Sequence, residues 1–156
     1  MRLPDHGVLI ALDLGTARIG VAACDSGHIL AYPVEVIPTC VDVGVRVKAL
    51  IEEYDAVGLI IGYPLTLAGD EGIAAKKISD QAQRLAKQVD IPIWLVDERM
   101  STAEAHRKLR ESGRNAKTSR HVVDAQAAVG ILESVLYALE QGRSIGQELK
   151  TEESHG

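Results

Sequence analysis

Val8-Leu-Ile-Ala-Leu-Asp-Leu-Gly-Thr-Ala-Arg-Ile-Gly-Val-Ala-Ala-Cys24, followed by Ile29-Leu-Ala-Tyr-Pro-Val-Glu-Val-Ile37, is the stretch that decides the fold. Val8–Leu14 reads as a buried strand, because its apolar run is short and interrupted only by Asp13 near the end. Ile19–Cys24 and Ile29–Ile37 read as two more. Gly15 to Gly20 supplies the first connection, and Asp25–Gly27 is a hairpin turn signal. Three strands so linked predict an antiparallel meander.

Beyond the meander the pattern changes. Val43, Val47, Leu50, Ile51 and Tyr54 recur at helical spacing. Ala56–Ile61 is a short apolar run, read as a buried strand and broken by Gly62-Tyr-Pro-Leu65. Asp70 is a candidate N-cap for a helix to about Val89. Ile91–Val96 reads as the next strand. Ser101-Thr-Ala-Glu104 fits a capping box that opens a helix to about Ser112. Gly113–Ser119 is a polar loop, and a last helix is expected from about Arg120 to Glu140. The fold class that follows is α/β: a mixed five-stranded sheet with helices on both faces. Residues 1–141 form one domain, and 142–156 read as a flexible polar tail.

Crossovers after the third strand should set the later strands parallel to the first. Their carboxyl ends then share one sheet edge, where α/β sheets place ligands. Asp13, Gly62, Asp97 and Glu98 all fall at such ends. On the last helix, Ala128, Ile131 and Val135 lie within about 40° of Asp124 at 100° per residue, so this acid belongs to the apolar stripe. Carboxylates gathered at one edge repel unless a cation sits among them. A divalent metal and phosphoryl-transfer chemistry are the reading. Adjacent strand residues face opposite sides, so one acid of the Asp97–Glu98 pair enters the site, and parity leaves open which.

Bulk properties narrow the function classes. At 46% hydrophobic residues, the 156-residue chain can fill a core, but it has no Phe, one Trp and four Tyr. An aromatic base-stacking platform is therefore not expected. No apolar stretch reaches spanning length and the N-terminus lacks a signal pattern, which makes the cytoplasm the expected compartment. Cys24 and Cys40 lack CxxC spacing, and the five histidines lack the spacing of a zinc site. The formal charge of −5 hides a local reversal. Arg107, Lys108, Arg110, Arg114, Lys117 and Arg120 crowd one segment between the acidic strand end and the Asp124 helix. Such a segment can hold a phosphate backbone; it can equally be a solvated helix face. Arg18 and Arg99, beside the acids, are candidates to orient a phosphate.

Four segments together resemble one known family: Asp13-Leu-Gly-Thr-Ala-Arg-Ile-Gly-Val-Ala22, Gly62-Tyr-Pro-Leu65 with Gly69, Asp97-Glu-Arg-Met-Ser-Thr-Ala-Glu-Ala105, and Asp124-Ala-Gln-Ala-Ala128 with Ile131-Leu132. In order and spacing they are similar to the YqgF/RuvX family over about residues 5–140. The resemblance implies an RNase H-like fold and a Mg²⁺- or Mn²⁺-dependent nuclease. Its catalytic acids would be Asp13, Asp97 or Glu98, and Asp124, with Asp13, Glu98 and Asp124 on the metal. Arg18, Arg99, Arg107, Arg114, Lys117 and Arg120 would contact substrate. Tyr63 departs from the Leu common in the family, a change expected to alter loop packing. The implied substrate is nucleic acid: the 5′ end of precursor 16S rRNA, or alternatively a Holliday junction. A monomer or weak homodimer is expected, with no membrane association. Two other classes compete. A non-catalytic RNA-binding module would bind without cleaving. An actin-like ATPase shares the Asp-x-Gly-Thr turn but needs a duplicated domain that 156 residues cannot supply.

Overall fold

The computed structural model describes residues 6–14, 18–38, 42–63, 73–97, 119–142 and 147–149. The elements in chain order are β1 (Leu9–Leu14), β2 (Arg18–Cys24), β3 (Ala31–Pro38), α1 (Val43–Tyr54), β4 (Gly58–Tyr63), α2 (Ile73–Ala86), β5 (Ile93–Asp97), α3 (Ser119–Glu140) and β6 (Gln147–Glu148). They build one sheet in the order β3-β2-β1-β4-β5-β6.

The expected meander is present. β1 pairs antiparallel with β2, and β2 with β3. The Asp25 carboxylate organises the β2–β3 turn by accepting the amides of Gly27, Ile29 and Leu30 at 3.1, 2.8 and 2.7 Å. His28 adopts the left-handed region at φ 59°. Its Nε2 donates to the Gly7 carbonyl at 2.8 Å, since a carbonyl can only accept. β3 is an edge strand, which is where Pro33 and Pro38 are tolerated. The expected parallel crossovers follow, β4 lying parallel to β1 and β5 parallel to β4.

Both faces of the sheet are covered, which is why β1 reads as one apolar run instead of an alternation. On one face, Ile10, Leu12, Leu14, Ile19, Val21, Leu59, Ile61 and Ile93 pack with Val47, Leu50 and Ile51 of α1 and Ile78, Ala82 and Leu85 of α2. On the other, Leu9, Ala11, Ala22, Cys24, Ile60, Trp94 and Val96 pack with Ala127, Ala128, Ile131, Leu132 and Val135 of α3. α1 is held at both ends by aspartates. Asp42 caps its start by accepting the Val45 amide at 3.3 Å. Asp55 ends it in the left-handed conformation at φ 52°.

Two findings amend the expected architecture. The sheet has a sixth strand, because Gln147–Glu148, inside the segment expected to be a flexible tail, pairs antiparallel with β5. The Leu149 amide adds a 2.7 Å bond to the Ile93 carbonyl. This short strand covers backbone groups of β5 that an edge strand would leave open. The second finding is a register shift in the β2–β3 pairing at Val21/Ala22, which leaves Val34 unopposed. The capping-box helix expected over 101–112 and the loop over 113–118 lie outside the described residues.

Candidate active site at the carboxyl edge of the sheet

Asp13 ends the apolar run of β1 and is only 5% exposed, the one buried charged side chain among the described residues. Burying a carboxylate costs several kcal/mol unless other groups compensate it, and Asp13 does make such an interaction. The sheet register places it. Asp13 pairs directly with Gly20 of β2. Leu12 pairs with Ile61 of β4, which sets Asp13 level with Gly62. Gly62 in turn pairs with Val96 of β5. The row across the sheet is therefore Gly20, Asp13, Gly62, Val96. With strands about 4.8 Å apart, Asp13 and the end of β5 are about 10 Å apart.

Alternation settles which face each residue serves. Leu9 and Ala11 belong to the α3 side, so Asp13 does too, as do Gly62 and Val96. The next row in is Ala22, Ala11, Ile60, Trp94, all buried. Ala11 and Ala22 are small, and α3 meets this face with Ala127 and Ala128. Small residues on both sides let a helix lie close to the sheet. Asp13 thus stands at the rim of a dry, tightly packed floor.

The direction of α3 completes the geometry. Leu136, Leu139 and Glu140, near its C-terminus, line a cavity with Gly27, His28 and Ile29 of the β2–β3 turn. That turn is tied to Gly7, just before β1. α3 therefore runs antiparallel to β1, and its N-terminal turns lie toward the carboxyl end of β1. From Leu136 back to Asp124 is about 18 Å at 1.5 Å per residue. From Gly7 along β1 to Asp13 is about 20 Å at 3.3 Å per residue. The two lengths match, so the helix backbone carries Asp124 to the level of Asp13. Ala128, Ile131 and Val135, the residues sharing its side of the wheel, are all fully buried. The positive end of the helix dipole also points at this edge, which favours carboxylates and anions there.

Asp97 sits at the end of β5, paired with Tyr63. Ile93 and Leu95 belong to the α1/α2 core and Trp94 and Val96 to the α3 core. Alternation therefore assigns Asp97 to the α1/α2 face, opposite to Asp13. Arg18 opens β2 at the same sheet end as Asp13. Glu98, Arg99, Arg107, Arg114 and Lys117 lie outside the described residues, and Arg120 is described only as part of the α3 backbone. No group of three His, Cys, Asp or Glu side chains forms a metal cluster among the described residues alone. Asp25 holds the turn that the sequence reading placed at 25–27, whereas the capping Asp42 escaped it, its position ahead of an apolar helix being the available signal.

Comparison with known proteins agrees with this architecture. The sequence profile described as "RuvX: Holliday junction resolvase" matches residues 7–138. A protein of Cutibacterium acnes named "putative pre-16S rRNA nuclease" is 45% identical over 139 residues, covering 88% of this chain and 87% of its own. One of Streptomyces avermitilis with the same name is 46% identical over 135 residues, covering 84% and 86%. Among solved structures, Thermus thermophilus RuvC in complex with Holliday junction substrate superposes with a TM-score of 0.60 at 14% identity, over 90% of this chain and 99% of that one. At that identity the likeness speaks for a shared fold.

Proposed function

This chain belongs to the RuvX Holliday junction resolvase family, and from that premise we propose that it is a metal-dependent endonuclease that processes the 5′ end of precursor 16S rRNA. The observation that carries the reading is Asp13: a buried carboxylate at the carboxyl end of a central strand, facing the helix that brings Asp124 to the same level. The names borne by relatives about 45% identical over nearly their whole length point to the substrate.

Of the Asp97–Glu98 pair, Asp97 ends β5 on the α1/α2 face, opposite to Asp13, which makes Glu98 the acid to favour. Asp13, Glu98 and Asp124 offer the carboxylate oxygens that hard divalent cations take, and the fit with Mg²⁺ or Mn²⁺ rests on that donor set. A cation held there would supply Lewis-acid charge at the scissile phosphate and lower the pKa of a nearby water.

The chain's own groups do the rest. The low-dielectric floor of Ala11, Ala22, Ile60 and Trp94 strengthens every charge interaction at the rim. The N-terminal turns of α3 add partial positive charge. Arg99, Arg107, Arg114, Lys117 and Arg120 grip the flanking backbone, which makes binding fall with salt. Hydrolysis leaves a 5′-phosphate and a 3′-hydroxyl, with no protein nucleophile.

The test is cleavage of a labelled precursor 16S rRNA fragment and of a four-way DNA junction with Mg²⁺ or Mn²⁺. The expectation is RNA cleavage that Asp124→Asn and Glu98→Gln each reduce about 10²–10³-fold, as loss of a charge-stabilising group at a reacting centre does. Symmetric nicking of the junction alone would move the substrate to DNA. Binding of RNA without cleavage by the wild type would refute a nuclease.

A further inference from the structure

A cavity of about 320 Å³ opens between α1 and α2 and includes Leu14, the last residue of β1, in its lining. Leu14 packs in the α1/α2 core. Alternation sets Asp13, one residue earlier, on the α3 side. The cavity therefore lies behind the strand end that carries Asp13, with the two Cα atoms about 3.8 Å apart. Its size is at the small end of the range for small-ligand sites. Val43 and Leu85 add apolar surface, and two glutamine amides add hydrogen-bonding groups. Two opposite charges line it from different helices: Asp42 at the start of α1 and Arg84 in the last turn of α2. One oxygen of Asp42 accepts the Val45 amide at 3.3 Å. Among the described residues no ion pair joins Asp42 to Arg84. The two charges share the cavity without meeting across it.

We propose that this cavity takes a guanine base of the bound RNA strand, from a nucleotide near the phosphate being cleaved. The inference rests on the nuclease reading above and adds a base preference to it. Guanine presents two donors, N1–H and the 2-amino group, on one edge and two acceptors, O6 and N7, on another. A carboxylate accepts and a guanidinium donates, so Asp42 and Arg84 complement these two edges. Arginine spanning O6 and N7 is a guanine-specific pairing. Adenine would place an amino group before the guanidinium and the bare N1 acceptor before the carboxylate. Proteins read unstacked RNA bases along these same edges. With no Phe and a single Trp that is fully buried, the chain is better suited to reading a base by its edge than by stacking.

The experiment uses the full chain without divalent cation, so that binding is read apart from cleavage. The probes are short labelled adenosine oligoribonucleotides whose central residue is adenosine, guanosine, inosine or 7-deazaguanosine. Fluorescence anisotropy gives Kd for the wild type, Arg84→Ala and Asp42→Asn, the last because asparagine caps a helix as well as aspartate does. The wild type should bind the guanosine probe about 5–100-fold tighter than the all-adenosine one. Inosine lacks the 2-amino group and 7-deazaguanosine lacks N7, and each should forfeit part of that preference. Arg84→Ala should become indifferent to N7, and Asp42→Asn to the 2-amino group, with melting temperatures near that of the wild type. An Arg84 that serves only the negative end of the α2 dipole would instead lower the melting temperature and leave the base preference intact, which overturns the proposal. A wild type with no preference for guanosine overturns it too. Guanosine monophosphate binding as tightly as the guanosine probe would make this a free-nucleotide site and overturn the assignment to RNA. The predicted pattern in a chain that cleaves no precursor 16S rRNA with Mn²⁺ would refute the nuclease reading and leave the guanine site standing.

Discussion

Replacing Gly58 with alanine should destabilise this protein, and the structure says by roughly how much. Gly58 opens β4 and pairs with Leu9 of β1. A methyl group there would meet Leu9 Cδ2 and Trp94 Cζ3, each at 2.9 Å. Ordinary carbon contacts lie at 3.5–4.0 Å. Both neighbours are fully buried, so neither can swing aside into solvent. Overpacking of a filled core costs about 1–3 kcal/mol. Against this, alanine narrows the unfolded ensemble and returns about 0.4–1 kcal/mol. The net expectation is a loss of about 0.5–2 kcal/mol. With a urea m-value of about 2 kcal/mol/M, the midpoint falls by about 0.3–1 M. Trp94 is the single tryptophan and is 1% exposed, so its fluorescence reports unfolding directly. Leu9→Val removes one of the two clashing atoms. Gly58→Ala should therefore cost less in that background than in the wild type. An unchanged or raised midpoint in Gly58→Ala, or strict additivity with Leu9→Val, would refute the packing argument.

Two further outcomes follow from titratable groups. Glu35 on β3 accepts Arg46 of α1 through both carboxylate oxygens, the Nε bond at 2.8 Å, and this holds its carboxyl below the ordinary 4.5. A depressed acid stabilises above its unfolded pKa and loses that contribution as pH falls through the folded value. Because the pair is partly exposed, Glu35→Gln should cost only about 0.5–1 kcal/mol at pH 7. Denaturation at pH 7 and pH 2.5 checks this, and a difference that persists in acid counts against it. Cys24 is buried, accepts the Leu9 amide at 3.3 Å, and has its thiol pKa pushed up chiefly by burial. Iodoacetamide at pH 8 should leave Cys24 unmodified until denaturant is added, as read by peptide mapping, and modification of the native protein would contradict the buried placement.

The meander and the crossovers were legible because the strands are apolar runs cut by turn residues. The apolar stripe of α3 was legible for the same reason: Ala128, Ile131 and Val135 repeat at helical spacing and are buried together. What escaped has physical causes. β6 is two polar residues long and carries no periodicity to detect. The facing of Asp97 was undecidable because β5 is covered on both sides, with Trp94 and Val96 as apolar as Ile93 and Leu95. Only the clusters to which those residues belong separate the two faces. The glycine row beside Asp13 was equally hidden, since Gly20 and Gly62 lie 42 positions apart and meet it only through strand register.

The antiparallel seat of α3 on the meander also fixes an order of events during synthesis. β1 to β3 leave the ribosome about a hundred residues before the helix that covers Leu9, Ala11, Ala22 and Ala31. At about 5–20 residues per second, that apolar face waits on the order of 5–20 seconds for its cover. A product that stops before Glu140 never receives it and is exposed to aggregation. Asp13 and Asp124 lie 111 positions apart, so any chemistry that needs both is withheld until α3 has been made.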